Sequence, residues 1–577
     1  MPSNSLDRLL TRLDQAKSRF GPGDAARVEK LLEMVSRKRF RDLDSLLLFH
    51  EILLFLSAHP HNARVLRLTE QLLSLFVDRV GQLRSDGVDL YSLDYIENSG
   101  LAGTTISGAF SYGIVRWLVR RYPASVEIDW EKYEKRERLG STLPRFLPLL
   151  NEDSLVEANI PYRKWLRAAT GQKDRALVWL IQRFQALDVP EEEKGELYDS
   201  LVLPIRWELG NGPASRTRLK QRVRSVYHHR GSLLKRSDVE LADQFTPRGV
   251  ELRPLSFSAG EKIVDMTRTV TTVRYRELYG ITHGNPGSVV KADVGRGVEI
   301  FLWGLPVEYR LPLRSYHAGI TLKNGVPINY IEAISLFERT ELGFNTFYTF
   351  RDGESAWVYA QVLGLLNQLL GVTCISVDPY QVGFNNDEAI ESGAFWFYRK
   401  LGFRPTIPAI ARAAEAEEKK IKTRPGYRSS VRILRRLSRG NVVYEAPGSD
   451  SGAWDRFHIR NLGLAVQRRM AERFAGEAGR IRRASSETVA RAIGITPDDL
   501  KLSRRRSYEN LALVLALIPD LADWEKGEKR NVARIIEAKS GNDESRYLRL
   551  LQQHSRLKDA VIELGSAPVG GGDPGED

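Results

Sequence analysis

The sequence predicts an α+β multidomain protein, with a central mixed sheet flanked by helices, an all-α domain before it and a mainly α region after it. Three observations predict this. Nearly every segment from Leu6 to about Asp238 has helical periodicity. Short β-rich runs alternate with helical ones between about 250 and 410, and helical patterning returns from Trp454. A chain of 577 residues also exceeds what one core of usual size organises. The expected units are 1–240, helical; 250–410, the mixed sheet; 411–453, a basic linker; 454–566, helical; and 567–577, a disordered tail rich in Gly, Pro and acid.

Met1 to Ser5 lacks a basic start followed by an apolar run and leads into an amphipathic helix marked by Leu6, Leu9, Leu10 and Leu13. Breaks are expected at Gly21-Pro22-Gly23, His59-Pro60-His61, Tyr122-Pro123 and Gly210-Asn211-Gly212-Pro213. Leu46 to Leu56, interrupted by His50-Glu51, reads as a buried bundle helix. Asn98 to Val115 is uncharged apart from its flanks, but its hydrophobicity is too low for a membrane helix, so it reads as a close-packed helix or a loop plus helix. The pairs His59/His61 and His228/His229 lack carboxylates or thiols at metal-ligand spacing. A single cysteine excludes an intramolecular disulfide framework and suits a reducing, cytoplasmic setting.

In the central region, His317 to Lys323 and Val326 to Phe337 are strands joined by Asn324-Gly325, the dipeptide that best tolerates the positive φ of a two-residue hairpin. Thr340 to Phe350 alternates as a third strand. Arg351-Asp352-Gly353-Glu354 turns the chain, and Ser355 starts a helix with Trp357, Val358, Val362, Leu365, Leu366 and Leu369 inward and Gly371 as its C-cap. Val372 to Val377 is an apolar strand closed by Asp378-Pro379. Residues 388 to 401 read as one helix, stopped by Gly402 before a strand beginning at Phe403.

This order, with Ala394-Phe395-Trp396-Phe397-Tyr398-Arg399-Lys400-Leu401-Gly402-Phe403 at its close, resembles the core of the GNAT N-acetyltransferases over residues 250–410. The resemblance implies acyl transfer, with acetyl-CoA or another acyl-CoA as cosubstrate and an amine of unknown identity as acceptor. It places Tyr398 at the thioester sulfur. It also implies cofactor contacts from Arg351, Gly353, Ser355 and Ala356 in the phosphate loop and from Phe347 and Tyr348 before it. The family's loop reads Gln/Arg-x-x-Gly-x-Gly/Ala; here Arg351 and Ala356 hold the outer positions, and Glu354 replaces the middle glycine with a carboxylate that should repel phosphate. Glu391 stands where the family often has Asn.

Direct transfer in a ternary complex needs a base for an amine whose solution pKa is near about 10 and an acid for the departing thiolate. Tyr398 suits the second task. Glu341 is the first choice for the base and Glu332 the second, the alternative being that both are solvated strand carboxylates; for Tyr398 the alternative is a core tyrosine. Cys374, in an apolar run, reads as a small core residue.

The chain carries 86 Lys+Arg against 73 Asp+Glu, a formal +13. Clusters run from Arg216 to Arg236 and from Lys419 to Arg439, on either side of the mixed-sheet region, with Arg504-Arg505-Arg506 beyond them. Such runs suit an acidic carrier protein or nucleic acid as partner, or are solvated surfaces. No membrane insertion is expected. Three functional classes follow: an N-acyltransferase using acyl-CoA, one using an acyl carrier protein, and a non-catalytic scaffold that binds nucleic acid or protein through its basic flanks.

Overall fold

The computed structural model describes residues 5–94, 98–171, 175–246, 249–496 and 502–566, and it is an α+β structure with two sheets. The larger sheet has nine strands: β4 (Leu252–Pro254), β5 (Val290–Asp293), β6 (Val298–Trp303), β7 (Ser315–Lys323), β8 (Val326–Leu336), β9 (Arg339–Thr346), β10 (Cys374–Val377), β11 (Arg404–Pro405) and β12 (Val442–Glu445). Their spatial order is β11-β12-β10-β9-β8-β7-β6-β5-β4. All neighbouring pairs are antiparallel except β9 and β10. A parallel pair needs a crossover, which the helix Ser355–Leu370 provides.

Asn324 and Gly325 both have positive φ, 50° and 81°, as the hairpin between β7 and β8 requires. The helix Ser355–Leu370 ends on Gly371 in the left-handed region, as expected. Three elements differ from the sequence reading. The strand from residue 340 stops at Thr346, and Tyr348–Phe350 form a 3-10 turn. The closing helix is two, Asp387–Glu391 and Ala394–Arg399, because Gly393 takes a left-handed φ of 69° between them. Asn531 to Leu551, whose pattern predicts one helix, also belong to two, Lys526–Lys539 and Glu544–Gln552, with Asp543 capping the second.

The N-terminal region is not all-α. Thr105–Ala109 (β1), Val126–Ile128 (β2) and Pro204–Glu208 (β3) form a three-stranded antiparallel sheet in the order β1-β3-β2. The stretch 98–115 read as helix or loop therefore contains β1, followed by the helix Tyr112–Arg121. This sheet and its helices have their own apolar core, which includes Ile106, Trp117, Leu180, Phe184 and Trp207. The preceding helices, from Ser5–Ala16 to Phe76–Ser85, share the core of the large sheet instead, as do the C-terminal helices through Val532, Tyr547 and Val561. Leu43–Ala58 is the buried bundle helix expected from its pattern.

Residues 411–453, read as linker, contain the end of the helix Pro408–Thr423, the helix Val431–Leu437 and β12. β12 lies between β10 and β11, so this basic segment completes the sheet. The 567–577 tail lies outside the described residues. No helix among the described residues is long and apolar enough to cross a membrane.

A Cβ on Gly325 would lie 2.1 Å from the Gln221 carbonyl oxygen, in a backbone conformation that already strains any L side chain. Gly325→Ala is therefore expected to lower stability by roughly 1–3 kcal/mol or more, read as a reduced midpoint in denaturant with no change in slope.

Candidate functional site

β9 is paired along its whole length on one side and only in part on the other. With β8 the register runs from Leu336↔Arg339 to Asn329↔Thr346. With β10 it runs only from Cys374↔Arg339 to Ser376↔Glu341. Pairing with β10 stops at Glu341, β10 itself ends at Val377, and no strand among the described residues pairs with residues 342–346 on that side. At about 3.3 Å per residue, this opens roughly 16 Å of strand edge inside the sheet. It lies at the carboxyl ends of β9 and β10, where open α/β sheets place their ligands.

Register fixes which side chains flank this gap. Glu332 stands opposite Gly343 and Glu341 opposite Ile334, so both carboxylates project from the same face. Glu332 accepts a hydrogen bond from the Tyr316 hydroxyl, and burial raises its pKa. Glu341 is bound by Arg314 at 2.7 Å and Arg339 at 2.9 Å. The first-choice base is thus tied into two ion pairs, whereas Glu332 is the carboxyl whose environment favours holding a proton. Neither is the freely solvated strand carboxylate.

The opposite face is aromatic. Phe344 of β9 meets Tyr359 of the crossover helix edge-on at 5.0 Å, and Tyr359 meets Tyr398 at 5.7 Å and Phe397 at 6.0 Å. Tyr398 is buried, and burial raises its pKa. The buried Tyr359 hydroxyl beside it has no hydrogen-bond partner among the described residues. A buried phenol hydroxyl without an acceptor is the kind of exception that a bound polar atom or water explains. Cys374 is buried and its thiol is pushed up to about 12, as befits a core residue.

The outer end of the gap is rimmed by side chains of the two loops that leave β9 and β10. Tyr348 is 77% exposed, Tyr380 56% and Phe384 39%, an unusual concentration of exposed aromatics. Arg351 pairs with Glu388 at 2.5 Å and lies over the Tyr348 ring, while Arg276 donates to the Tyr330 hydroxyl and approaches Glu388. Phe347, buried, stacks under the Arg274 guanidinium at 4.1 Å.

The phosphate loop is built differently from the sequence expectation. Glu354 does not face outward; its side chain is 2% exposed and turned into the protein. There it binds Arg296, takes the Lys323 ammonium at 3.3 Å and accepts from the Leu234 amide at 3.1 Å. Burial opposes its charge, but Arg296 and Lys323 outweigh that and lower its pKa, while burial brings Lys323 down to about 8. One carboxylate is thus set against two cations, so Glu354 contributes no net negative charge at the helix N-terminus. Gly353 is backed by His59, whose ring a Cβ would meet at 3.2 Å. Ser355 donates to the Phe350 and Arg351 carbonyls, and Ala356 is buried under the first turn.

Sequence reasoning missed this cluster. Three histidines of the two pairs converge on it: the His59 and His229 rings are 5.5 Å apart, and Phe20 contacts both His61 and His229. Burial and Lys323 hold His229 down at about 3, so it stays neutral. The one signal in the sequence was Glu354 itself, an acid where the GNAT resemblance expects glycine; nothing local pointed to Lys323 or Arg296.

No family model, curated protein or solved structure matches this chain.

Glu354→Gln is expected to cost about 3–5 kcal/mol, because it leaves Lys323 and Arg296 buried against an uncharged amide; thermal unfolding at pH 7 measures it. Glu332 has the opposite sign. Its folded pKa lies above its unfolded value, so its contribution is present below the unfolded pKa and is lost as pH rises through the folded one. Glu332→Gln should accordingly gain stability relative to the parent at pH 7 compared with pH 4, in paired denaturant titrations.

Proposed function

We propose that this protein is a GNAT-like N-acyltransferase that holds the extended pantetheine arm of an acyl thioester in the gap between β9 and β10. The carrying observation is the end of the β9–β10 ladder after Glu341 and Ser376, which leaves residues 342–346 without a strand partner on that edge. An arm with amide groups can add to the bare edge of residues 342–346 as a further strand would, through main-chain hydrogen bonds. The strand, hairpin, strand, helix, strand, helix, strand order and the Tyr398 segment support the same reading.

In the reaction, the lone pair of a neutral amine attacks the thioester carbonyl carbon, the C–N bond forms, and the C–S bond breaks as the tetrahedral intermediate collapses. Glu332, on one face of the gap, takes the amine proton, and Tyr316 fixes the carboxyl that receives it. Backbone N–H groups of the open edge face the developing oxyanion. On the other face, Tyr398 gives its proton to the leaving thiolate, with Tyr359 beside it. Arg351 and the N-terminus of the helix Ser355–Leu370 lie where the donor's phosphate end would emerge.

Titration calorimetry with acetyl-CoA is expected to give saturable one-to-one binding that Glu332→Gln leaves intact. That variant and Tyr398→Phe should each lose about 100-fold or more of turnover, followed as thiol release over a panel of primary amines. Full turnover in both variants would remove the assigned acid and base. Absence of binding at millimolar acetyl-CoA and acetyl-pantetheine would remove the acyl-transfer reading.

A further inference from the structure

Two segments without a single acidic residue flank the large sheet. Residues 209–237 contain eight Lys or Arg and residues 419–444 contain nine, with no Asp or Glu in either. The fold brings these two distant stretches to one side of the molecule.

The first is an extended strap that crosses the molecule toward the gap. It is held by main-chain bonds from Gln221 to Gly325 and from Leu234 to the Glu354 carboxylate, and by Tyr227 donating to the Asn324 side chain. Alternation turns Leu219, Gln221 and Val223 inward and leaves Arg218, Arg222 and Arg224 exposed, some 6.6 Å apart for residues two apart in an extended chain. The second supplies the end of the helix Pro408–Thr423 and the helix Val431–Leu437, with Lys422, Arg424, Arg428, Arg432, Arg436 and Arg439 exposed.

The first segment reaches Glu354 at the start of the helix Ser355–Leu370 through the Leu234 amide, and the second reaches the helix Asp387–Glu391 through Arg435. Arg236 from the first and Arg428 from the second are both close enough to Lys400 to act on its charge, two residues after Tyr398. Arg435 pairs with Asp387, which adjoins Glu388 at the rim of the gap. Among the described residues, Arg216, Lys220, Lys420 and Arg435 are the Lys and Arg of residues 209–237 and 419–444 that form an ion pair. A surface that concentrates one sign of charge and leaves it unneutralised costs self-repulsion, which an oppositely charged partner relieves.

We propose that this collar docks an acidic acyl carrier protein, which delivers the acyl group on its own phosphopantetheine arm into the gap between β9 and β10. The inference rests on the acyl-transfer reading and names the donor. The collar lies beside the gap's rim, where a carrier would sit with its arm inserted. A carrier's arm also brings one phosphodiester rather than the diphosphate and adenosine of coenzyme A, and so asks for fewer contacts from the loop at residues 351–356. The chemistry is unchanged: the carbonyl carbon leaves the carrier's sulfur for the amine nitrogen, and the carrier departs with a free thiol that has taken up a proton.

The test uses the full chain and four probes, each titrated at about 50 and 300 mM salt: acetyl-pantetheine, an acidic acyl carrier protein in its acetyl form, the same carrier without its arm, and a 20-nucleotide single strand. The expected result is that the acetyl-carrier binds more tightly than acetyl-pantetheine or the armless carrier and loses tenfold or more of its affinity at the higher salt. The double variant Arg428→Glu/Arg432→Glu, exposed on the collar, should weaken the carrier tenfold or more and leave acetyl-pantetheine unchanged. If acetyl-pantetheine binds but the carrier does not, or binds equally to the double variant, the collar inference falls while the acyl-transfer reading stands. If the oligonucleotide outcompetes the carrier, the collar is a nucleic-acid surface and the inference is overturned. If acetyl-pantetheine itself fails to bind, both fall together.

Discussion

The early end of the β9–β10 ladder is the constraint from which the rest of this architecture follows. A sheet can stay closed only while every interior strand has a neighbour on both edges, and an open interior edge leaves main-chain polar groups that must find other partners. The two strands pair over three residues, after which β9 runs on with β8 as its one partner, while β12 flanks β10 on its other edge. The crossover helix Ser355–Leu370 packs its apolar side against one face of the unpaired stretch and presents its N-terminus at the open end. Glu332, Tyr359 and Tyr398 matter because they stand on either side of that opening.

The buried ion cluster at Glu354 secures the opening from behind. It joins the end of the helix Leu43–Ala58 through His59, the turn before β6 through Arg296, the end of β7 through Lys323 and the basic strap through Leu234. Four stretches far apart in sequence are thereby fixed at the base of one helix. A buried carboxylate with two cations and two neutral imidazoles is costly to form, and it is retained because removing any member strands the others. This explains how helices with no resemblance to the central region come to share its core rather than form a separate body.

Much of the central fold was legible from local chemistry. Asn324-Gly325 fixed the hairpin, Gly371 the end of the crossover helix, and the alternation from Thr340 the faces of β9. What was not legible depends on contacts between distant segments. Gly393 splits the closing helix although its neighbours have helical patterning, and no local rule distinguished it from a tolerated glycine. β12 follows a run of charge that reads as linker, because a four-residue strand carries too little periodicity to register. β1 to β3 were hidden for the same reason. Of the candidate residues, Tyr398 and both glutamates lie around the gap, but the ion pairs that tie down Glu341 come from Arg339 on its own strand and Arg314 from a distant segment, so the preference between Glu341 and Glu332 needed the fold. The inward turn of Glu354 needed the fold itself.

Hydrogen exchange of the backbone amides of residues 342–346, with and without saturating acetyl-pantetheine, tests the central claim most directly. If an extended arm completes the sheet there, the amides of Leu342, Phe344 and Thr346, which point away from β8, should exchange at least tenfold more slowly when it is bound, while those of β5 and β6 at the far side of the sheet keep their rates. Saturable binding with unchanged exchange at 342–346 would contradict the account, since the ligand would then occupy some other part of the molecule.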